Sequence, residues 1–289
     1  ISGLHNLQNI FILMNNNKDQ KILVVIQARK NSSRLPGKIF LPLSGKPLLY
    51  RMYERVCGSV SDKQVVIATT TDKSDDVTSD LCKEYDMNFF RGHPDDLLDR
   101  HYKAGIGFDA DAVIKIPSDC PLICPDVIDN VISFYKKNKN EFDFVSNLHP
   151  ATYPDGQDVE IIPMEILKQA WTEAKKDFER EHTTPFIWER PERYRIGNVE
   201  WETGLDLSMS YRLTIDYPED YEFIKRVYEE LYDEKKMFKL CDIMKLLDRK
   251  PEIKKINEMY NGVNWYRNHL SELKTVSHFQ TSEVRREKM

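Results

Sequence analysis

Short apolar runs alternate with segments of helical spacing over the first half of the chain. The run ILVVI at residues 22–26 contains no polar residue, which is typical of a strand buried on both faces. The pattern predicts strands at 21–27, 64–70, 88–90, 112–116 and 142–146, and helices at 46–60, 74–85, 95–105 and 125–135. This alternation predicts an α/β fold with a mainly parallel sheet flanked by helices.

The pattern changes after Pro150. A turn at 154–156, a strand at 158–162, two helices up to about 189 and extended pieces near Tyr194 and Tyr211 predict a small antiparallel excursion over one end of the sheet. Beyond Pro218 helical spacing continues to about 268, which predicts a helical C-terminal region. We therefore expect a leader at 1–20, with Met14 a candidate native start, one folded domain at 21–268 with its excursion at 150–210, and a flexible tail at 269–289.

Composition narrows the class of partner. The formal net charge of −5 argues against nucleic-acid binding, which needs a basic surface. No apolar stretch reaches the length of about twenty residues that a membrane-spanning helix needs. The five cysteines form an odd set without CxxC spacing, so reduced thiols in a cytoplasmic protein are expected rather than disulfides or a zinc site. A small-molecule partner remains.

A basic loop follows the first predicted strand directly. Residues 27–38 read QARKNSSRLPGK, and ligands of open parallel sheets bind beyond the carboxyl ends of the strands. Arg29, Arg34 and Lys38 could neutralise a triphosphate, while small polar residues let backbone amides approach phosphate oxygens. The loop matches neither GxxxxGK[ST] nor GxGxxG. A solvated basic loop without a ligand is the alternative interpretation.

Two aspartates follow predicted strands. Asp119 comes just after the strand at 112–116, and Asp216 stands in TIDYPED at 214–220. Both could face the crevice beside the basic loop and bind Mg²⁺, which takes few carboxylates together with phosphate oxygens and waters. The alternative for Asp119 is a helix or turn cap. Glu219 and Asp220 are interpreted as first-turn acids that favour the helix dipole.

The ordered set of motifs resembles the cytidylyltransferase family, which includes acylneuraminate and deoxy-manno-octulosonate (Kdo) CMP-transferases, and is most similar to its spore-coat polysaccharide branch. The resemblance runs from about residue 21 to 268 and is carried by the basic loop, SGKPLL at 44–49, VVIATT at 65–70, FRGHPDDLLDRHYKA at 90–104, SDCPL at 118–122, YPDGQDVEI at 153–161, EREHTTPFIW at 179–188 and RLTIDYPED at 212–220. The order of these pieces is more specific than any one of them. One departure concerns Pro117-Ser118, where Kdo transferases place Gln-Gly before the metal aspartate. This departure bears on the selectivity for base and sugar.

The resemblance implies a fold like that of GT-A nucleotide-diphospho-sugar transferases, a homodimer, and a role for each candidate residue. The implied nucleotide ligands are Gln27 and Ala28 near the base or ribose, and Arg29, Arg34 and Lys38 at the triphosphate. The implied metal ligands are Asp119 and Asp216, and the implied acceptor-binding residues are Arg100, Asp158, Glu160 and His182. For His182 a place at a subunit interface is the alternative.

The implied reaction is transfer of CMP from CTP to a sugar acid or related small acidic substrate, with release of pyrophosphate, for surface polysaccharide or glycan biosynthesis. Arg34, Lys38, Asp119 and Asp216 are the implied catalytic residues, and Mg²⁺ is the implied cofactor. No general base is identified, and another nucleoside triphosphate remains an alternative to CTP. The rival functions are a GT-A-type glycosyltransferase, which would need no loop to hold pyrophosphate, and a non-catalytic nucleotide-binding protein, against which the intact Arg34, Lys38, Asp119 and Asp216 weigh.

Overall fold

The computed structural model describes residues 20–232 and 237–284. The leader predicted at 1–20 lies outside these residues except for Gln20, whose side-chain amide donates to the Tyr135 hydroxyl. Met14 and residues 285–289 of the predicted tail also lie outside them. The predicted division of the chain at 20 and 268 therefore stays a prediction.

A seven-stranded sheet forms the centre of the fold, in the order β5-β4-β1-β6-β8-β7-β9. β5, β4, β1 and β6 are parallel, and β8 runs antiparallel to both β6 and β7. The strands are β1 (Ile22–Gln27), β2 (Pro42–Leu43), β3 (Lys46–Pro47), β4 (Gln64–Thr70), β5 (Phe89–Gly92), β6 (Ala112–Pro117), β7 (Phe144–Ser146), β8 (Glu160–Pro163) and β9 (Ile196–Asn198). This arrangement confirms the predicted fold class.

Helices cover both faces of the sheet. The helices are α1 (Leu48–Cys57), α2 (Asp76–Glu84), α3 (Leu97–Gly107), α4 (Pro125–Lys137), α5 (Met164–Glu173), α6 (Asp177–His182), α7 (Pro185–Trp188), α8 (Pro218–Leu231), α9 (Leu240–Arg249) and α10 (Pro251–Lys254). In β1, Val24 belongs to the core that includes α1, α4 and α8, whereas Val25 belongs to the core that includes α3 and α5. Alternate side chains of a strand point to opposite faces, so an uninterrupted apolar run is buried on both.

Two parts of the sheet structure differ in placement from the prediction. The strand predicted at 158–162 forms as β8, but it lies inside the main sheet between β6 and β7 rather than over one end. The helix predicted from residue 46 begins only at Leu48, because Lys46–Pro47 pairs with Pro42–Leu43 in a two-stranded antiparallel sheet. The two-residue loop that joins these two strands has positive φ at both Ser44 (43°) and Gly45 (76°), as a tight hairpin turn of type I′ requires.

The predicted helical C-terminal region is confirmed over α8, α9 and α10. The α-helices end at Lys254, and the chain continues to residue 284 as loops with short 3₁₀ turns. This last part packs against the domain: Leu273 is buried, and the Glu189 carboxylate accepts hydrogen bonds from the amides of Lys274 and Thr275. Within the described ranges, no helix is both long and apolar enough to cross a bilayer.

Candidate active site

The basic loop and both predicted metal aspartates line one cavity of about 800 Å³. The loop leaves the carboxyl end of β1, Asp119 follows the neighbouring strand β6, and Asp216 stands two positions before the start of α8. The strands β1 and β6 are parallel neighbours, so their carboxyl ends meet at the same edge of the sheet. The cavity therefore opens at the edge where an open α/β sheet binds ligands.

Lys38 is the point where the basic loop meets both aspartates. Its ammonium donates to the Ile215 carbonyl at 2.6 Å, lies 3.1 Å from Asp216 Oδ1 and lies 3.8 Å from Asp119 Oδ2. The lysine is buried and begins a short 3₁₀ turn directly after Gly37, whose φ of 73° suits glycine. A buried ammonium between two carboxylates is held in place by charge on both sides.

Arg34 reaches Asp216 from the solvent side. Its guanidinium lies 2.8 Å from Asp216 Oδ2, and its side chain keeps 39% of its surface exposed. Burial by itself would raise the pKa of Asp216, but Lys38, Arg34 and Arg212 together outweigh burial and hold that pKa below its usual value. Asp216 is therefore an ionised carboxylate surrounded by cations.

Behind Asp216 lies a buried network that the sequence did not predict. Asp220 is fully buried, and its carboxylate accepts from Arg212 Nε at 2.9 Å, Arg212 Nη2 at 3.1 Å and the side-chain amide of Asn257 at 3.0 Å. It also accepts from the backbone amides of Asp216 and Tyr217. The interpretation of Asp220 as a first-turn acid is correct but incomplete, because its main partner is the buried Arg212.

Asp119 is held in place by hydrogen bonds to its backbone carbonyl, and it is not the N-cap of the helix that follows it. Its carbonyl accepts hydrogen bonds of 2.8 Å from both the Thr214 hydroxyl and the Ile215 amide, which joins the loop after β6 to the segment before α8. Helix α4 begins six positions on and has Cys124 as its N-cap. The Asp119 side chain contacts Lys38 and is left facing the cavity.

The predicted nucleotide ligands line the cavity as well. Gln27 ends β1, and its Oε1 is buried without a hydrogen-bond partner among the described residues. Ala28 extends the strand by donating its amide to the Ala68 carbonyl at 3.0 Å. Arg29 is exposed at the mouth. An orphaned buried carbonyl oxygen facing a cavity suits a ligand that donates a hydrogen bond.

The four residues predicted to face the acceptor line the cavity in different ways. Arg100 is buried and donates to the carbonyls of His93 and Pro94, so most of its hydrogen-bonding capacity is already used. Glu160 is buried in an ion pair with Lys115. His182 stacks on Trp265 with ring centroids 3.8 Å apart, and burial lowers its pKa to about 3.

Asp158 differs from these because it lacks a cation partner within salt-bridge distance among the described residues. One of its oxygens accepts from the Gly156 amide at 3.3 Å. Burial raises its pKa to about 7, the charge of Asp119 acts in the same direction, and Lys115 opposes both. The cavity-lining residues that sequence reasoning missed include Lys115, Asn147, His149, Trp188, Trp265 and Tyr266. Buried lysine or histidine in an otherwise apolar stretch was the one available signal, as in AVIKIP at 112–117.

The donor set fits a hard cation that also binds phosphate. The described residues contain no cluster of three or more metal-ligating side chains. Mg²⁺ is commonly bound through one or two carboxylates plus substrate phosphates and waters, so the pair Asp119 and Asp216 is sufficient for such a site. Both carboxylates flank the same ammonium, which places them on one small region of the cavity wall.

A mainly parallel sheet with cations and carboxylates gathered at its carboxyl edge defines a nucleotidyltransferase-like α/β protein. The family model described as cytidylyltransferase matches residues 23–244, and the chain belongs to this family. The spore coat polysaccharide biosynthesis protein SpsF of Bacillus subtilis is 31% identical, over 80% of this chain and 95% of that protein. An uncharacterized protein of Methanocaldococcus jannaschii is 34% identical over 82% of this chain and 94% of its own length. These findings confirm the predicted resemblance.

Solved structures agree with this assignment. A cytidylyltransferase from Leptospira borgpetersenii superposes with a TM-score of 0.76 at 32% identity, covering 81% of this chain and 97% of that one. A CMP:2-keto-3-deoxy-manno-octonic acid synthetase complexed with CTP has a TM-score of 0.55 at 17% identity, covering 73% of this chain and all of that one. Because the identity to the synthetase is only 17%, that similarity shows a shared fold alone.

Proposed function

We propose that the chain transfers CMP from CTP to a hydroxyl group of a sugar acid or related small acidic acceptor and releases pyrophosphate. The observation that carries this proposal is the contact of Lys38 and Arg34 with Asp216, and of Lys38 with Asp119, at the carboxyl edge of the sheet. Cations that can leave carboxylates for phosphate oxygens, beside carboxylates that can take a metal, are what an enzyme needs to bind a nucleoside triphosphate.

The reaction is an in-line attack of the acceptor hydroxyl on the α-phosphate, with pyrophosphate as the leaving group. Catalysis of this kind consists mainly of positioning and charge neutralisation. Lys38 is buried and fixed, so it can stabilise charge on the phosphates without first being ordered. Arg34 is half exposed, and it can exchange Asp216 for the departing pyrophosphate without moving a buried group.

Asp119 and Asp216 are the residues that would hold Mg²⁺. When bound, the ion would neutralise charge on the triphosphate and lower the pKa of the attacking hydroxyl. The hydrogen bonds from Thr214 and Ile215 to the Asp119 carbonyl keep the two aspartate-bearing segments together. The Arg212–Asp220 pair supports Asp216 from behind.

The choice of CTP and of the biosynthetic setting is supported by relatives. A 3-deoxy-manno-octulosonate cytidylyltransferase of Chloroherpeton thalassium is 35% identical over 122 residues, and an 8-amino-3,8-dideoxy-manno-octulosonate cytidylyltransferase of Shewanella frigidimarina is 30% identical over 128 residues. The acceptors in the names of these two enzymes, 3-deoxy-manno-octulosonate and its 8-amino counterpart, are the first to test. The similarity to SpsF supports a role in surface polysaccharide or glycan biosynthesis. We also propose that the chain forms a homodimer and acts in the cytoplasm. Sedimentation velocity measures the mass of the assembly in solution and so tests the dimer.

Two rival functions make different predictions. A glycosyltransferase on this sheet would bind a sugar nucleotide and would release no pyrophosphate. A non-catalytic nucleotide-binding protein would bind CTP without turnover. The buried Lys38 between two carboxylates favours the transferase, because a protein that only binds nucleotide does not need carboxylates directed at the phosphates.

The test is pyrophosphate release with Mg²⁺ across CTP, UTP, GTP and ATP, each with 3-deoxy-manno-octulosonate, its 8-amino counterpart and N-acetylneuraminate. We expect release with CTP and one acceptor only. Asp119→Asn serves as the inactive control, since it keeps the shape of the side chain. Binding of CTP without release from any acceptor in the panel would contradict the proposed reaction.

A further inference from the structure

Tyr217 and Tyr260 form a stacked pair of rings beside the cations of the candidate active site. Their centroids lie 4.0 Å apart, and the planes of the two rings differ by 4°. Tyr217 follows Asp216 directly and is the N-cap of α8, whereas Tyr260 comes after residue 244, where the family match ends. This pair, the tyrosine stack, therefore joins the segment that carries Asp216 to a part of the chain outside the family match.

The ring of Tyr217 is held in a fixed position. Its backbone amide donates to the buried Asp220 carboxylate at 3.0 Å, and its hydroxyl accepts a hydrogen bond from Arg267 at 3.4 Å. Tyr260 is buried, and its own hydroxyl donates to Glu219 at 3.2 Å. Because Tyr260 covers one face of the Tyr217 ring, the opposite face and the ring edge remain for other groups.

Two guanidinium groups lie against the Tyr217 ring. The Cζ atom of Arg34 is 5.5 Å from the ring centroid, and that of Arg212 is 5.8 Å away. Both distances fall within the roughly 6 Å over which an aromatic face attracts a cation. The same two groups meet at Asp216 Oδ2, which lies 2.8 Å from Arg34 and 3.2 Å from Arg212. The ring and the carboxylate thus offset the repulsion between two cations that share one oxygen.

Arg34 depends on the ring more than Arg212 does. Arg212 is buried and has further partners in Asp220 and the Val263 carbonyl. Arg34 keeps 39% of its side-chain surface exposed, and among the described residues Asp216 is its only salt-bridge partner. When Arg34 leaves the Asp216 carboxylate for a phosphate, the Tyr217 ring is the contact that stays.

A ring contact leaves the N–H donors of a guanidinium free. An ion pair uses these donors, whereas an aromatic face attracts the charge of the whole group. Arg34 can therefore direct its N–H groups at phosphate oxygens while the ring keeps its long side chain ordered. Ordering such a side chain only when the ligand arrives would cost conformational entropy.

We infer that Tyr217 is a positioning residue of the triphosphate site, whose ring, covered by Tyr260, holds the Arg34 guanidinium where it contacts the β- and γ-phosphates. Neither tyrosine is among the described residues that line the cavity, so the tyrosine stack acts through Arg34. This inference rests on the proposed function for the identity of the ligand, but the effect of the ring on Arg34 is measurable without nucleotide.

The first experiment measures the accessibility of the Arg34 guanidinium in the full chain without nucleotide. Phenylglyoxal modifies arginine side chains, and peptide mass spectrometry follows the rate at which Arg34 reacts. We expect Arg34 to react roughly threefold faster in Tyr217→Leu than in the wild-type chain, because the guanidinium loses the ring beside it. Tyr217→Phe keeps the ring and should match the wild-type rate. Arg29, which is exposed in the same loop, should react at the same rate in all three chains.

The second experiment measures the binding of CTP and of CMP by calorimetry, with Mg²⁺ and without an acceptor. Tyr217→Leu should weaken CTP binding roughly fivefold and CMP binding less than about twofold, because CMP lacks the phosphates that Arg34 contacts. Tyr217→Phe should bind CTP like the wild-type chain. In an Arg34→Ala background, Tyr217→Leu should change CTP binding less than about twofold, because the group through which the ring acts is already gone.

Circular dichroism checks that each variant is folded. Tyr260→Leu removes the ring that covers Tyr217 and should change both measurements in the same direction, so it takes the place of Tyr217→Leu if that variant does not fold. An unchanged rate of Arg34 modification in the folded leucine variant would overturn the inference. Equal losses for CTP and CMP, or an equal loss with and without Arg34, would also overturn it, since either would indicate a general effect on the fold.

These results would leave the proposed function standing, because none of them concerns whether the wild-type chain binds and uses CTP. Absence of CTP binding by the wild-type chain would contradict the proposed function. The modification rates would then still decide whether the Tyr217 ring holds Arg34.

Discussion

Replacement of Asp220 is expected to lower both the stability of this protein and its activity. The side chain is fully buried and touches no part of the cavity, yet it accepts hydrogen bonds from the Arg212 guanidinium and from the Asp216 amide. The change Asp220→Asn keeps the size of the side chain, removes its charge and turns one acceptor oxygen into a donor. That donor then faces groups that also donate.

The expected loss of stability in Asp220→Asn depends on the partners that Arg212 keeps in the variant. Breaking a buried ion pair by neutralising one partner usually costs about 3–5 kcal/mol. Arg212 keeps Asp155 at 3.3 Å, Asp216 at 3.2 Å and the Val263 carbonyl at 2.8 Å, so its charge is not left without partners. We therefore expect a loss of about 3 kcal/mol in the free energy of unfolding, at the lower end of that range.

Activity should fall as well, because the Asp216 amide loses its acceptor and the Asp216 carboxylate loses its fixed position. Misplacement of a catalytic group by a fraction of an ångström predicts a decrease in kcat/KM of roughly ten- to a hundredfold. Urea unfolding followed by tryptophan fluorescence measures the stability, and pyrophosphate release measures the activity under conditions where the variant is folded.

Glu219→Gln is the matched control. Glu219 is an acid in the same first turn of α8 and, among the described residues, its side chain accepts a hydrogen bond only from the Tyr260 hydroxyl, at 3.2 Å. We expect a change within about 0.5 kcal/mol and normal activity. If Asp220→Asn behaved like Glu219→Gln in both assays, the buried network would not support Asp216 as we argue.

Three further predictions concern single groups. Asp119→Asn should lower Mg²⁺-dependent turnover by at least roughly a hundredfold with an unchanged thermal melt, and full activity would remove Asp119 from the metal site. Arg34→Ala should weaken CTP roughly ten- to a hundredfold but CMP only slightly, as measured by calorimetry, whereas equal losses would place Arg34 away from the β- and γ-phosphates. Burial lowers the pKa of His101 to about 3, so the unfolded chain binds a proton below pH 6.5 that the folded chain does not, and stability is lost as the pH falls from 6.5. This histidine should cost about 2 kcal/mol between pH 6.5 and 4.5. The pH dependence of urea unfolding in His101→Gln should be flatter by that amount, and an unchanged dependence would show that His101 is protonated in the folded state.

The prediction of the fold succeeded where the signal is local. Largely apolar runs identified β1, β4 and β6, because a strand covered on both faces carries mostly apolar side chains. Lys115 is the exception in β6, and it is buried in an ion pair with Glu160. Helical spacing identified α1, although the first two residues of the predicted helix, Lys46 and Pro47, belong to a hairpin that depends on positive φ at Ser44 and Gly45. The strand at 158–162 was recognised, but its place inside the sheet depends on pairing with both β6 and β7, which no local pattern encodes.

By itself, the sequence determined the α/β class, the basic loop after the first strand and Asp119 beside that loop, since the carboxyl ends of the parallel strands β1 and β6 meet at one edge. Asp216 reaches the same place through a tertiary contact, because no strand of the described residues ends at it. Only the tertiary structure decided that Lys38 stands between Asp119 and Asp216, that Asp220 is buried against Arg212, and that residues 262–280 close the cavity with aromatic rings. These contacts join residues far apart in the chain or depend on burial, and hydrophobic periodicity carries information only about neighbours along one helix or strand.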